Sequence, residues 1–411
     1  MRAVVTGIGI VSTLGCSRGQ VAESLRIGRS GVVFDSHRKE LGFRSGLTGA
    51  VRDFELRCRL SRRERKRLPE FGLWAWQALM DALDHAGLSD ETFRANRRAG
   101  IILGNDSSAV AAVEQVEQLK EHGESRYIGS GYIFQLLNST LTLNFATMLG
   151  IAGTSLTVSC ACASGGVAIF QAADLIERGV LDLVICGGAQ EISWQSMCSF
   201  DALGAFSTRE ESPEEASRPF DAGRDGLVPS GGAAVLVLES EVHAAKRGAR
   251  VLASIEGSGY FCDGHHVTVP SGRGLEDAMS AAMYKAGREP AEIDLLMAHA
   301  TSTPSGDEVE ARVIREFFSI SSKGQGPLIC ATKALTGHEF WMAGASQVIY
   351  AVIMASQGFV AGHVNLEEPD PEARLLNIPR STRDAQVRLV LCNASGFGGT
   401  NSSLVVRIEG Y

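Results

Sequence analysis

The stretch Leu156-Thr157-Val158-Ser159-Cys160-Ala161-Cys162-Ala163-Ser164-Gly165-Gly166 decides how this chain folds. Apolar and β-branched residues give way to small ones around Cys162. Val167–Gly179 then repeats apolar positions at helical spacing and ends in the cation and glycine of Arg178-Gly179. A second stretch echoes the first, with Leu328-Ile329-Cys330-Ala331 running into Thr332–Gly337 and then into helix-period Ala345–Gly358. Strand, tight turn and long helix occurring twice predict a duplicated α/β unit whose two turns meet at one site. Unduplicated alternation of strands and helices is the other architecture this pattern permits.

Outward from these segments, Val4–Gly7, Gly100–Gly104, Leu183–Gly187, Val235–Leu238, Val251–Gly257, Asp294–Met297 and Val387–Leu391 read as strands. Leu73–Gly87 and Gly274–Gly287 read as helices, and the alternation predicts parallel strands joined by helices. The composition agrees with a layered α/β enzyme, since 46 glycines and 7% aromatics favour tight turns and close backbone packing. At 45% hydrophobic and 21% charged, the chain can bury a large core. A formal net charge of -8 argues against nonspecific nucleic-acid binding. No apolar run reaches the ~18 residues that would span a bilayer, and Met1-Arg2 leads directly into strand-like Ala3-Val4-Val5, so a cytoplasmic protein is expected. Nine scattered cysteines without a repeated Cys-x-x-Cys pair predict reduced thiols.

Three groups with reactive chemistry fall directly after predicted strands, where an α/β enzyme places its site. Cys162 sits at a strand-to-helix turn, where free N–H groups and the helix dipole favour the thiolate. His299 follows Leu295-Leu296-Met297-Ala298, and His338 closes Lys333-Ala334-Leu335-Thr336-Gly337-His338. Asn393-Ala394-Ser395-Gly396-Phe397-Gly398-Gly399-Thr400-Asn401 places one bulky residue between glycines. Gly396 and Gly398 would let Phe397 swing and let its N–H aim at a substrate oxygen. His265-His266 lack further ligands at a metal spacing, and Gly7-Ile8-Gly9 does not continue as a dinucleotide fingerprint. No metal or other cofactor is expected.

Together, Cys162, Ala298-His299-Ala300-Thr301-Ser302-Thr303-Pro304-Ser305-Gly306-Asp307, Lys333 with Thr336-Gly337-His338, and Gly396-Phe397-Gly398-Gly399-Thr400-Asn401 resemble the β-ketoacyl-acyl carrier protein synthases. Ser217-Arg218-Pro219-Phe220-Asp221 and Gly187-Gly188-Ala189-Gln190-Glu191 are closest to the synthase I subgroup. The resemblance implies a thiolase-like duplicated fold, layered α-β-α-β-α, with residues 1–250 carrying the nucleophile and 251–411 both histidines. It implies a dimer, homotypic or paired with a second subunit, that condenses malonyl and acyl groups delivered by an acyl carrier protein. Cys162 would accept the acyl group, and the N–H groups of Cys162 and Phe397 would hold the thioester oxygen. His299 and His338 would hold the enolate oxygen. Lys333, Asp307, Glu310, Thr301 and Thr303 would support the site. Arg63 and Lys66, in the basic run Arg62-Arg63-Glu64-Arg65-Lys66-Arg67, would face the acidic carrier.

The chain also departs from the family pattern. Gln347 stands where a glutamate is usual, which leaves Glu339 or Glu310 as candidate partners for Lys333. Trp341 and Ala300 each replace a glycine, and Ser395 replaces a phenylalanine. These changes bear on substrate choice and point to a specialised acyl or polyketide-like pathway. A non-catalytic chain-length partner is the alternative that Gln347 and Trp341 keep open, although such partners usually lack the cysteine. A thiolase-type enzyme would instead pair its nucleophile with a second cysteine and one histidine.

Overall fold

Every residue of Ala3–Ser12 (β1) is buried, because this strand lies near the middle of a ten-stranded sheet rather than at its edge. The computed structural model of the chain describes residues 1–409; the last two residues of the expected 251–411 half lie outside them. Four more strands of the first half, Ala99–Gly104 (β2), Ser155–Val158 (β3), Leu183–Gln190 (β4) and Gly232–Ser240 (β5), join β1 in the order β3-β2-β4-β5-β1. The second half supplies Ala253–Cys262 (β6), Leu295–Met297 (β7), Leu328–Cys330 (β8), Leu389–Gly396 (β9) and Thr400–Ile408 (β10), in the order β8-β7-β9-β10-β6. Numbered within its own half, each set reads third, second, fourth, fifth, first. The two sets meet where Ala3, Val4 and Val5 pair antiparallel with Ile255, Ser254 and Ala253.

The expectation of parallel strands holds only for the outer three of each half, β3-β2-β4 and β8-β7-β9. The pairs β1–β5, β4–β5, β6–β10 and β9–β10 are antiparallel. Apolar runs buried on both faces look alike in either direction, so sequence pattern could not separate them.

Helices complete the layers. Glu70–Ala86 (α1) turns Phe71, Trp74, Ala75, Ala78, Leu79 and Ala82 onto the first half-sheet, and Gly87 at φ 65° ends it in the left-handed conformation. Arg273–Ala286 (α3) covers the second half-sheet in the same way and is joined on that outer face by Pro304–Phe317 (α4). A Cβ at Gly7 or Gly9 would collide with the carbonyls of Ala82 and Ala78, and one at Gly257 or Gly259 with those of Ala282 and Ala278. The same glycine-on-alanine approach, two residues apart, therefore holds the outer helix of each half.

Between the half-sheets lie Ser164–Glu177 (α2) and Ala343–Ser356 (α5). All residues from Ala343 to Ala355 are buried, as a helix apolar on every side requires. These two helices cross closely, since a Cβ on Gly344 would stand 2.5 Å from the Gly166 nitrogen. The strand before Cys162 is not a buried one: β3 ends the sheet, and Leu156 is 44% exposed. No described helix is long and apolar enough to cross a membrane.

Candidate active site

Cys162 is set by a strained turn. Ala161 holds φ at 47°, a region that non-glycine residues seldom occupy. The turn is fixed by local bonds: Cys160 N donates to Ser164 Oγ at 2.9 Å, and Ser164 Oγ donates to the Ala161 carbonyl at 2.6 Å. Gly396 on β9 packs against it from the other half, where a Cβ would stand 2.8 Å from the Cys162 nitrogen. Gly396 thus allows a close approach of the two halves, while Gly398 takes φ 76° and donates its N–H to the Val267 carbonyl.

Cys162 is buried, and burial pushes its thiol up to about 12. The Lys333 charge and the N–H groups of Cys162 and Phe397 pull the other way without offsetting it. Desolvation thus opposes the thiolate that the helix terminus favours, and outweighs the nearby dipoles. The N–H groups of Cys162 and Phe397 both lie at the sulfur, beside the place where the oxygen of a thioester formed there would sit.

Both histidines reach this point. His338 Nε2 lies 3.2 Å from Cys162 Sγ, and the His299 and His338 rings are 5.2 Å apart and nearly perpendicular. Burial first, and then the Lys333 charge, hold both imidazoles well below the usual histidine range, so each is neutral. His338 is anchored through its main chain, its N–H donating to Val228 at 2.7 Å while its carbonyl accepts from Ser230 N at 2.9 Å.

The His299 loop is clamped from both sides. The Glu310 carboxylate accepts from His299 N at 2.8 Å and Ala300 N at 2.6 Å. Lys333 Nζ donates to the His299 carbonyl, and Gln347 Nε2 donates to the Ala298 carbonyl at 2.6 Å. Asp307 accepts from Phe220 N at 2.8 Å and Ser302 N at 3.1 Å, and so ties the following turn to Ser217–Asp221. Burial pushes Glu310 up to about 7 and Asp307 up to about 6 against these bonds. Thr301 and Thr303 share a 2.9 Å hydroxyl contact and line the cleft, and the Thr303 carbonyl accepts from Arg224 Nε at 3.1 Å.

The cleft, of about 390 Å³, opens over Cys162, His299 and His338. Phe397 forms part of its wall and stacks on Phe200, with centroids 5.5 Å apart and planes 16° from parallel. Phe200 meets Phe340 edge-on at 5.1 Å, and Phe340 stacks on the His338 ring at 4.5 Å. Behind them, Trp341 fills an apolar cluster with Cys162, Met197, Phe206 and Leu227. Its indole nitrogen is buried with no hydrogen-bond partner.

The structure thus brings together Cys162, His299, His338, Lys333, Asp307, Glu310 and Phe397 from distant parts of the chain. Arg63 and Lys66 stand apart from that cluster, exposed on the short helix Arg62–Arg67. Sequence reasoning missed Phe200 as the stacking partner of Phe397, and also the His266–Pro270 wall of the cleft. Neither carries a local signal, because each acts through a contact made only by the folded chain.

Comparison with known proteins agrees with this geometry. Residues 1–244 match the model for the beta-ketoacyl synthase N-terminal domain, and residues 252–367 that for the C-terminal domain. The chain is 38% identical over 408 residues to 3-oxoacyl-[acyl-carrier-protein] synthase 1 of Escherichia coli (strain K12), covering 99% of this chain and 98% of that one. Among solved structures it superposes on a beta-ketoacyl synthase from Burkholderia phymatum STM815 with a TM-score of 0.93 at 31% identity, each chain covered completely. It superposes on the ishigamide ketosynthase/chain length factor with a TM-score of 0.90 at 30% identity, covering 100% of this chain and 99% of that one. The duplicated fold is thiolase-like, and by sequence match, fold and site together the chain belongs to the beta-ketoacyl synthase family.

Proposed function

We propose that this chain is a β-ketoacyl-acyl carrier protein synthase that joins a malonyl unit to an acyl chain by decarboxylative Claisen condensation. The observation that carries this reading is the 3.2 Å approach of His338 Nε2 to Cys162 Sγ, with the His299 ring beside it. Cys162 sulfur bonds to the acyl carbon, the carrier's sulfur–carbon bond breaks, and the thiol proton ends on the carrier's sulfur. The thioester oxygen is held meanwhile by the N–H groups of Cys162 and Phe397. Malonyl thioester then loses carbon dioxide, and its enolate oxygen is held by the neutral imidazoles of His299 and His338. The enolate carbon attacks the acyl-Cys162 thioester, whose sulfur leaves, and a 3-ketoacyl product two carbons longer departs on the carrier.

In this reading Lys333, Asp307 and Glu310 position the histidines, while Phe397 gates the cleft between Gly396 and Gly398. Thr301 and Thr303 line the path of the incoming thioester arm. Residues 1–250 supply the nucleophile and residues 251–411 the histidines. Arg63 and Lys66 receive the carrier protein, and the enzyme works in the cytoplasm as a homodimer. The non-catalytic partner reading is not favoured, since nucleophile and both histidines are present and in reach of one another. Trp341 and Ser395 suit a specialised acyl or polyketide-like substrate.

Trapping the enzyme with purified acyl-carrier proteins and mapping the modified residue tests this. Acylation of Cys162 followed by condensation with malonyl-carrier protein is expected. Acylation of Cys160 instead, or loading without condensation, would refute the assignment. A set of saturated and unsaturated acyl carriers run in parallel reads the pathway: high turnover confined to plain saturated chains would count against a specialised role.

A further inference from the structure

The groups around Cys162 divide by chemistry. His338 approaches the sulfur with His299 beside it, and the His299 loop lines the cleft with Thr301, Thr303 and Ser305, a polar surface that suits the incoming thioester arm. Phe200, Leu203, Ala205 and Leu227 of the first half, joined by Phe340, form an apolar wall instead. At that wall Cys162 packs into a cluster with Met197, Phe206, Leu227, Phe340 and Trp341, on which Phe43 and Phe200 also lie. A hydrocarbon chain carried by this sulfur is driven to the apolar side. Burial alone does not account for the rings it meets there, since aliphatic side chains would shield such a chain as well. Aromatic residues make up only 7% of the chain, and the largest core cluster buries just Tyr350 and Phe359 among its many aliphatic members. Around Cys162, three of the six buried members of the cluster are aromatic. Their geometry gives the wall a direction. Phe397 stacks on Phe200 at 5.5 Å with planes 16° apart, and Phe200 on Phe206 at 6.3 Å with planes 10° apart, so three rings of nearly one orientation lead from the cleft into the buried cluster. Phe340 meets Phe200 edge-on at 5.1 Å and Trp341 at 5.5 Å, closing the run from the side.

We propose that this aromatic wall selects a flat, conjugated acyl chain, a polyenoyl thioester, over a saturated or unconjugated chain of the same length. The inference rests on the reaction proposed above and names the class of acyl group that Cys162 takes. Two effects favour such a chain. A π-surface lying against ring faces and edges gains more than the apolar area it buries. A conjugated chain also arrives already straight, whereas a saturated one must give up rotation about each carbon–carbon bond to lie along the rings.

The test condenses malonyl-carrier protein with purified carrier protein bearing one of three eight-carbon chains: a saturated chain, a chain with two isolated double bonds, and a chain with two conjugated ones. All three are saturated next to the thioester carbon, so the reacting carbonyl is the same in each. Wild-type kcat/KM for the conjugated chain is expected to exceed that for either of the others by about two- to tenfold. Phe206→Leu and Trp341→Leu, which keep the wall apolar, should each bring that ratio toward one. The ratio is read within one preparation, so partial loss of folded enzyme does not alter it, and where one variant does not fold the other decides. A wild-type ratio below about two, or a ratio that stays unchanged in the folded variants, overturns the proposal. Turnover of the saturated chain reports separately on the reaction: an enzyme that condenses all three chains equally loses this inference alone, and one that condenses none loses the reaction as well.

Discussion

At the residue scale, chemistry and desolvation compete at one sulfur. Burial pushes the Cys162 thiol up to about 12, so its thiolate fraction grows as pH rises toward that value. Inactivation by iodoacetamide should keep accelerating through pH 9, whereas a plateau near about pH 7 would mean a stabilised thiolate at rest. The two imidazoles should matter chiefly after loading. His299→Ala and His338→Ala are each expected to cut condensation about 10²–10³-fold, and acyl transfer to Cys162, followed by mass spectrometry, should fall far less. Equal losses in both steps would remove the enolate role. That Cys162, His299 and His338 would meet was legible in sequence because each follows a strand and precedes a helix. The thiol's protonation was not, because burial comes from Trp341, Phe206 and Leu227, distant in the chain. Cys160, two residues before Cys162, is half-buried and accepts a 3.5 Å contact from the Tyr260 hydroxyl. An edge strand leaves it that access.

At the element scale, the site depends on how closely α2 and α5 cross. Gly344→Ala would drive a methyl group into the Gly166 main chain and should lower the unfolding free energy by about 1–3 kcal/mol, read as a fall in Tm. An unchanged melt would mean the helices can part without cost. Trp341 sits at the start of the same crossing, in the cluster behind Cys162. Trp341→Gly should widen that space and shift acyl preference toward longer or bulkier chains, measured as kcat/KM across a chain-length series. A profile that does not move would free Trp341 from any part in selection. Helix bounds were read to within a few residues, since capping glycines such as Gly87 and Gly287 mark them. The start of α2 at Ser164 was placed three residues too late, because Ser164, Gly165 and Gly166 are poor helix formers that tertiary contact makes helical.

At the scale of the whole molecule, two halves with one strand order share a single core, and the duplication was visible as an echo of two segments. Strand direction was not, for antiparallel partners such as β1 and β5 are as apolar as parallel ones. The exposed cations of Arg62–Arg67 belong to this scale too, since they concern how a partner approaches. Lys66→Glu should raise the KM for carrier-bound substrate several-fold and flatten its salt dependence, while leaving turnover of a small thioester mimic unchanged; an unaltered KM would release the helix from docking. The link between the halves offers Gly248 and Arg250 to solvent, whereas α5 is buried by strands of both halves and by α2. A protease nick in that link should therefore yield two fragments that co-elute in native buffer and separate only when denatured, since neither piece alone could shield so oily a helix from water.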